Sequence, residues 1–439
     1  MGYNFKLICL GLLFLFLVFC FFGLTTSIKA DSQFTSVQWL KTFGAGPSSG
    51  INSMCATTDE GFALAGHVLY LGDPMRYTSD MWFVKTDSNG EVEWAQSYLN
   101  LGEASSIIQT VDNGYALTGP KSLIKTDSNG NIEWNCSFSN GSPTNVVQTC
   151  DSGYAVVGTI FLTNHTFWFT KLDAFGNFQW NQSYAGTGSE IAWSLKQTND
   201  DGFIISGGST YGNYGKLIKT DSSGIVQWSQ TYNGVLFSVI QTNDNGYALV
   251  GCENIDNNST MFLLKVSSLG DKQWTQNLNA GRAWSVIQTN DTGYAIVGDS
   301  SLIKTDSSGT IQWVQTCNGT AFSVAQINNE DYVLAGRNLD TTVNCGAWLM
   351  KISTTATSNP SETQNQNGTL YPFISPTKTS ASSSQTSPDQ TVSLLPSSSP
   401  PKGTLFHFEI LFVILLFIAI PLILGVVLLF RKKQSKNLI

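Results

Sequence analysis

The chain has 439 residues, 42% of them apolar and only 12% charged, with three histidines and a formal net charge of −8. Sparse charge with abundant Asn, Thr, Ser and Gly fits many short strands and turns rather than long helices. The scarcity of histidine speaks against a His-based triad or a multi-His zinc site, and the acidic balance against nucleic acid, whose binding rests on phosphate neutralisation.

In chain order, residues 1–30 read as a secretory signal: Lys6, an apolar run from Leu7 to Leu24, then small and polar residues to Ala30. The alternative is an uncleaved membrane anchor. The next element is a strand around Trp39, which stands alone ahead of the repeats. From residue 50 onward a unit recurs, whose clearest copy is Ser238-Val-Ile-Gln-Thr-Asn-Asp-Asn-Gly-Tyr-Ala-Leu-Val-Gly251, then Leu263 to Gly270, then Gln273-Trp274. Each copy supplies a Val-Ile-Gln type strand, an Asp-x-Gly turn, an aromatic-Ala-Leu strand, a variable loop, a strand ending in Lys, an Asp-Ser-x-Gly turn and a Trp strand. The Lys positions are 85, 125, 171, 219, 265, 304 and 351, and the Trp positions are Trp39, Trp94, Trp134, Trp180, Trp228, Trp274 and Trp313.

Four antiparallel strands repeating every 40 to 55 residues, roughly, make a β-propeller blade. The last unit runs into a Ser/Thr/Pro-rich stretch without a Trp strand of its own, and the orphan at Trp39 supplies it. The expected fold is therefore all-β: a seven-bladed β-propeller of four-stranded blades over residues 31–352, closed by an N-terminal strand. The hairpin register places Lys85 opposite Trp94, which predicts a Lys side chain lying on each indole as a structural cation–π pair.

After the propeller, residues 353–404 form a polar stalk expected to be disordered and extended. Ile410–Phe430 is an uncharged run long enough to span about 30 Å of hydrocarbon as a helix, and the membrane helix is placed at 405–430. Arg431, Lys432, Lys433 and Lys436 put the tail, 431–439, in the cytoplasm. The expected location is a cell membrane crossed once, with the propeller extracellular. The exported part, 31–404, then carries 17 basic residues against 30 acids.

Export permits N-glycosylation, with acceptor patterns at Asn135, Asn140, Asn164, Asn181, Asn257, Asn258, Asn290, Asn318 and Asn367. Of the six cysteines beyond the signal, blade topology places Cys317 and Cys345 on one face of neighbouring blades, a disulfide candidate. No nucleophile elbow, phosphate-cradling loop or metal motif is present, so no catalytic, metal or cofactor set is assigned. The long irregular loops lie between the second and third strands, and the blade-one loop, with Tyr70, Asp73, Met75, Arg76 and Tyr77, is the candidate ligand-binding segment.

The run Lys85-Thr-Asp-Ser-Asn-Gly-Glu-Val-Glu-Trp94, with its kin at 125–134, 219–228 and 304–313, resembles repeat proteins of archaeal and bacterial surfaces. It is similar, more loosely, to the tryptophan-docking repeats of quinoprotein (PQQ-like) dehydrogenases. The resemblance covers about residues 36–352. In the quinoprotein repeat one more residue separates Asp from Gly, and that family's cofactor and calcium ligands find no counterpart here. A sialidase Asp-box is set aside because its spacings differ. The reading is a membrane-anchored surface module for binding or adhesion, engaging a glycan or a cell-envelope protein. The alternative is an exported propeller enzyme, quinoprotein-like or acting on polysaccharide.

Overall fold

The structure is a computed structural model that describes residues 35–44, 49–68, 79–161, 165–184, 186, 188–209, 213–253, 259–338 and 346–354, with short segments at 369–370, 377–379 and 384–386. Strands account for nearly all of it. The unit read from the sequence is seen in the pairing: Gly50–Ala56, Phe62–Val68, Asp80–Thr86 and Val92–Tyr98 join antiparallel in chain order, and the pattern repeats along the chain. In the sixth unit Tyr294–Thr305 supplies both middle positions, with Ser300 in the left-handed region (φ 67°). Ile311–Gln326 is outermost in that unit and innermost in the next. Six hydrogen-bonded sheets thus carry seven four-strand repeats among the described residues.

The seventh repeat is completed from the far end of the chain. Ser36–Phe43 pairs antiparallel with Ala347–Ser353 from Ser36↔Ser353 to Phe43↔Ala347, setting Trp39 opposite Lys351 as in every other unit. The first strands of the units touch one another in sequence, and the last returns to Gly50–Ala56, so the units stand in a closed ring. Closure leaves no unit with an uncovered face.

Between units the packing is aromatic. Each Trp meets the aromatic residue that opens the second strand of the following unit at 5.4–6.5 Å between ring centroids, from Trp94 with Tyr115 round to Trp39 with Phe62 across the seam. Trp39 also explains Gly90: at φ 76° its Cα faces the indole, where a Cβ would lie 2.9 Å from the ring. A Gln at the end of the first strand in units two to seven accepts a hydrogen bond from a turn amide of the preceding unit, as Gln241 does from Asn199 N at 3.0 Å. Six junctions carry this bond. At the seam the equivalent residue is Ala56, which has no side chain to make it.

The repeated lysines correct one expectation. The register is as predicted, Lys85↔Trp94, but the ammonium does not rest on the indole. Lys85 is 2% exposed and pairs with Asp59 Oδ2 at 2.9 Å, with further bonds to Thr86 O and Glu93. Six of the seven lysines pair in this way with the turn Asp of their own unit, at 2.8–2.9 Å, and the half-buried Lys351 pairs instead with Asp331, the residue that opens its second strand, at 3.0 Å. The physical reason is simple: a buried ammonium gains far more from a carboxylate and a carbonyl than from a ring face. Burial works against the Asp charge. The bonds from Lys85, Thr57 and Gly61 outweigh it and hold Asp59 at about 2.

Three short strands fall within the expected stalk: Thr369–Leu370, Thr377–Thr379 and Ser384–Thr386 lie parallel to the outermost strands of the seventh, first and second units. The outermost strands offer the open backbone edges that these segments pair with. The signal, the membrane span at 405–430 and the tail lie outside the described residues, among which no helix is long and apolar enough to cross a membrane.

Candidate functional site

The first strand of each unit pairs on one side only, so its other edge faces the ring axis. Near its start the pairing slips by one residue, as between Ala192 and Ser194, between Leu236 and Ser238, and between Ala283 and Ser285. A bulge re-aims the extra side chain, and on this strand the open direction is the channel. The bulged residues form a belt: Asn52, Thr144, Trp193, Phe237, Trp284 and Phe322, with Ser105 in the same place in the second unit. Because the bulges lie opposite the ends of the second strands, the belt sits towards the face that carries the variable loops.

The belt is chemically divided. In the first three units its polar side chains bond to the next unit's backbone: Asn52 Nδ2 donates to Ala104 O at 2.9 Å, Ser105 Oγ to Pro143 O at 3.2 Å, and Thr144 Oγ1 to Ala192 O. In the last four units the aromatic rings meet one another instead. Centroid distances are 5.8 Å for Trp193–Phe237, 4.5 Å for Phe237–Trp284 and 5.4 Å for Trp284–Phe322. All four rings are half-buried, so part of each faces solvent.

Charge gathers at the ends of this arc. The Arg337 guanidinium lies over Phe322 at 5.0 Å, and among the described residues no acceptor reaches its buried Nε. Asp299 accepts from Trp284 Nε1 at 3.0 Å and from Arg282 N at 3.1 Å, fixing the indole. Across the seam, His67 lies 3.7 Å from Glu103; burial lowers its pKa and Arg337 adds to that, while Glu103 opposes. The buried Glu190 is held by Tyr214 Oη at 2.9 Å and Lys216 Nζ at 3.2 Å.

Two solved structures match over most of the ring. A WD40 domain of Pan2 from Neurospora crassa aligns with TM-score 0.54 and 11% identity, covering 74% of this chain and 96% of that one. A catalytically inactive virginiamycin B lyase from Staphylococcus aureus, with quinupristin, aligns with TM-score 0.51 and 10% identity over 73% and 99%. The fold is a β-propeller. At such identities the likeness shows the propeller architecture alone. No protein-family model matches the chain, and no curated protein does.

Of the residues singled out from the sequence, the propeller places the seven tryptophans at blade junctions. Tyr70, Asp73, Arg76 and Tyr77 lie outside the described residues, as do Asn164, Asn257, Asn258, Asn367 and Cys345. Cys317, the described half of the expected disulfide, is buried, and burial pushes its thiol up to about 12. Asn140, Asn181 and Asn290 are exposed, as a glycan acceptor requires, and of Asn318 only the backbone is described. Asn135 is corrected as a candidate: at 6% exposure its side chain has no room for a sugar in this packing. Sequence reasoning missed the belt, although its trace was visible in the run of Trp193-Ser-Leu, Phe237-Ser-Val, Trp284-Ser-Val and Phe322-Ser-Val where earlier repeats have Asn52, Ser105 and Thr144.

Proposed function

We propose that the chain is a cell-surface interaction module: a seven-bladed propeller carried on a single-pass anchor, binding its ligand across the loop-bearing face, with the aromatic arc as the centre of contact. The observation that carries this reading is the broken symmetry of the belt. Repeated positions that serve the fold hold one residue type almost all round the ring, the blade Lys in seven units and the bridging Gln in six. The belt changes from polar to aromatic halfway, and it leaves four adjacent half-exposed rings that the fold does not require. The nearby carboxylates Asp299 and Glu190 are tied into structural bonds, which favours binding over acid–base chemistry. The export signal, membrane helix and resemblance to surface repeat proteins, all read from sequence, support the location.

The test is an array of glycans and cell-envelope proteins probed with the full chain, with a Phe237→Ser/Trp284→Ser variant and with a variant in which residues 68–79 are replaced by a short turn. The expected result is a bound species that weakens about tenfold or more with the arc variant, the loss expected of a binding hot spot. Binding that ignores both changes, or turnover of a bound oligosaccharide, would remove this reading.

A further inference from the structure

One more position on the channel wall breaks the repeat. Three residues beyond each belt residue the first strands carry Cys55, Ile108, Val147, Lys196, Ile240, Ile287 and Ala325. Six of these are small or apolar and pack, half-buried, against the neighbouring blade core. Lys196 alone is charged. Its side chain reaches solvent on the innermost strand, and among the described residues no hydrogen bond or ion pair holds its ammonium. This sets it apart from the seven blade lysines, each closed off by an aspartate. Although exposed to the channel, its ammonium is crowded by the wall around it, and that desolvation lowers its pKa from the usual lysine value. At a strand rise of about 3.3 Å per residue it lies roughly 10 Å deeper than Trp193 along the same strand. The aromatic arc therefore has a cation at each end, Lys196 beyond Trp193 and Arg337 over Phe322.

We infer that the channel mouth takes an acidic saccharide, its sugar faces against Trp193, Phe237, Trp284 and Phe322 and a carboxylate against Lys196. The inference rests on the arc being the binding surface. Ring faces on one side and the amide and hydroxyl oxygens of Asn52, Ser105 and Thr144 on the other suit a ligand with apolar C–H faces and many hydroxyls. An uncompensated cation in an exported part with 17 basic and 30 acidic residues selects an anionic group locally while the surface as a whole repels one.

The experiment measures binding of tetragalacturonate and its fully methyl-esterified form to the full chain by calorimetry, with Lys196→Met and Lys196→Arg variants whose denaturation midpoints confirm folding. The expected result is that esterification and Lys196→Met each weaken binding about tenfold or more, while Lys196→Arg costs less than about threefold. Equal affinity for acid and ester, unchanged by Lys196→Met, overturns the inference. If that shared affinity still falls in the Phe237→Ser/Trp284→Ser variant, the arc survives as the binding surface; if not, both readings fall. Binding of an acidic pentapeptide through Lys196, with no binding of either saccharide, overturns the saccharide assignment.

Discussion

The turn layer and the channel belt are both built from seven equivalent backbone positions, and they treat those positions in opposite ways. In the turn layer six blades have the same Lys and the same turn Asp, 2.8–2.9 Å apart, and the seventh keeps the Lys but takes its carboxylate from Asp331, two positions further on, at 3.0 Å. In the belt the residues run Asn, Ser, Thr, Trp, Phe, Trp, Phe. In six blades the ammonium is buried and leaving it without its carboxylate would be strongly destabilising, so the turn position is fixed; in the seventh Lys351 is half-buried and the turn position is Asn329. The belt side chain faces a channel and is released from that constraint. The Gln bridges fall between, present at six junctions and replaced by Ala56 at the seam, where the Trp39–Phe62 contact and the Lys41–Glu91 ion pair at 2.7 Å join the blades.

The comparison can be broken most forcefully by acid. Burial is outweighed by bonds from Lys, Thr and Gly, which hold Asp59, Asp112, Asp151 and Asp244 at about 2 where 3.8 is ordinary, and lower Asp200 and Asp291 in the same direction. On acidification the unfolded chain takes up protons first, so this contribution is whole above about pH 4 and is lost as pH falls through about 2. A denaturation midpoint that stays flat between pH 5 and 2, roughly, would deny the turn layer its role. A single blade gives a smaller effect: Asp244→Ala, which strands the 4% exposed Lys265, is expected to cost about 3 kcal/mol in chemical denaturation, and adding Lys265→Met should recover part of it. Smallest of all, Phe237→Ser should move stability by only about 1 kcal/mol, since three blades already carry a polar residue there. A loss as large as that of Asp244→Ala would make the belt part of the scaffold.

Much of this architecture was legible in the sequence because the repeat displays it seven times over. The orphan strand at Trp39 and the pairing of Lys85 with Trp94 both come from spacing and turn chemistry. The destination of the lysine charge was not legible, since Asp59 is 26 residues from Lys85 and reads locally as a turn former; only the folded blade brings the first turn beside the third strand. The belt was missed for another reason. The aromatic-Ser run is there to be seen, but nothing in it reveals a bulge, so Trp193 and Phe237 pass for ordinary strand residues. Lys196 reads as one polar residue in an amphipathic strand until the edge it occupies is known to face a channel.

The strand that finishes the ring is also the one made first. Ser36 waits for Ser353, and until the ribosome has delivered the far end of that pair no partner for the first strand exists. The six blades between can collapse as they emerge, each from contacts local in sequence. The final step must bring together points more than three hundred residues apart, the kind of closure that slows folding. Synthesis and closure are then separate events, and a chain halted shortly before residue 347 would hold six finished blades and a loose end at each side of the gap.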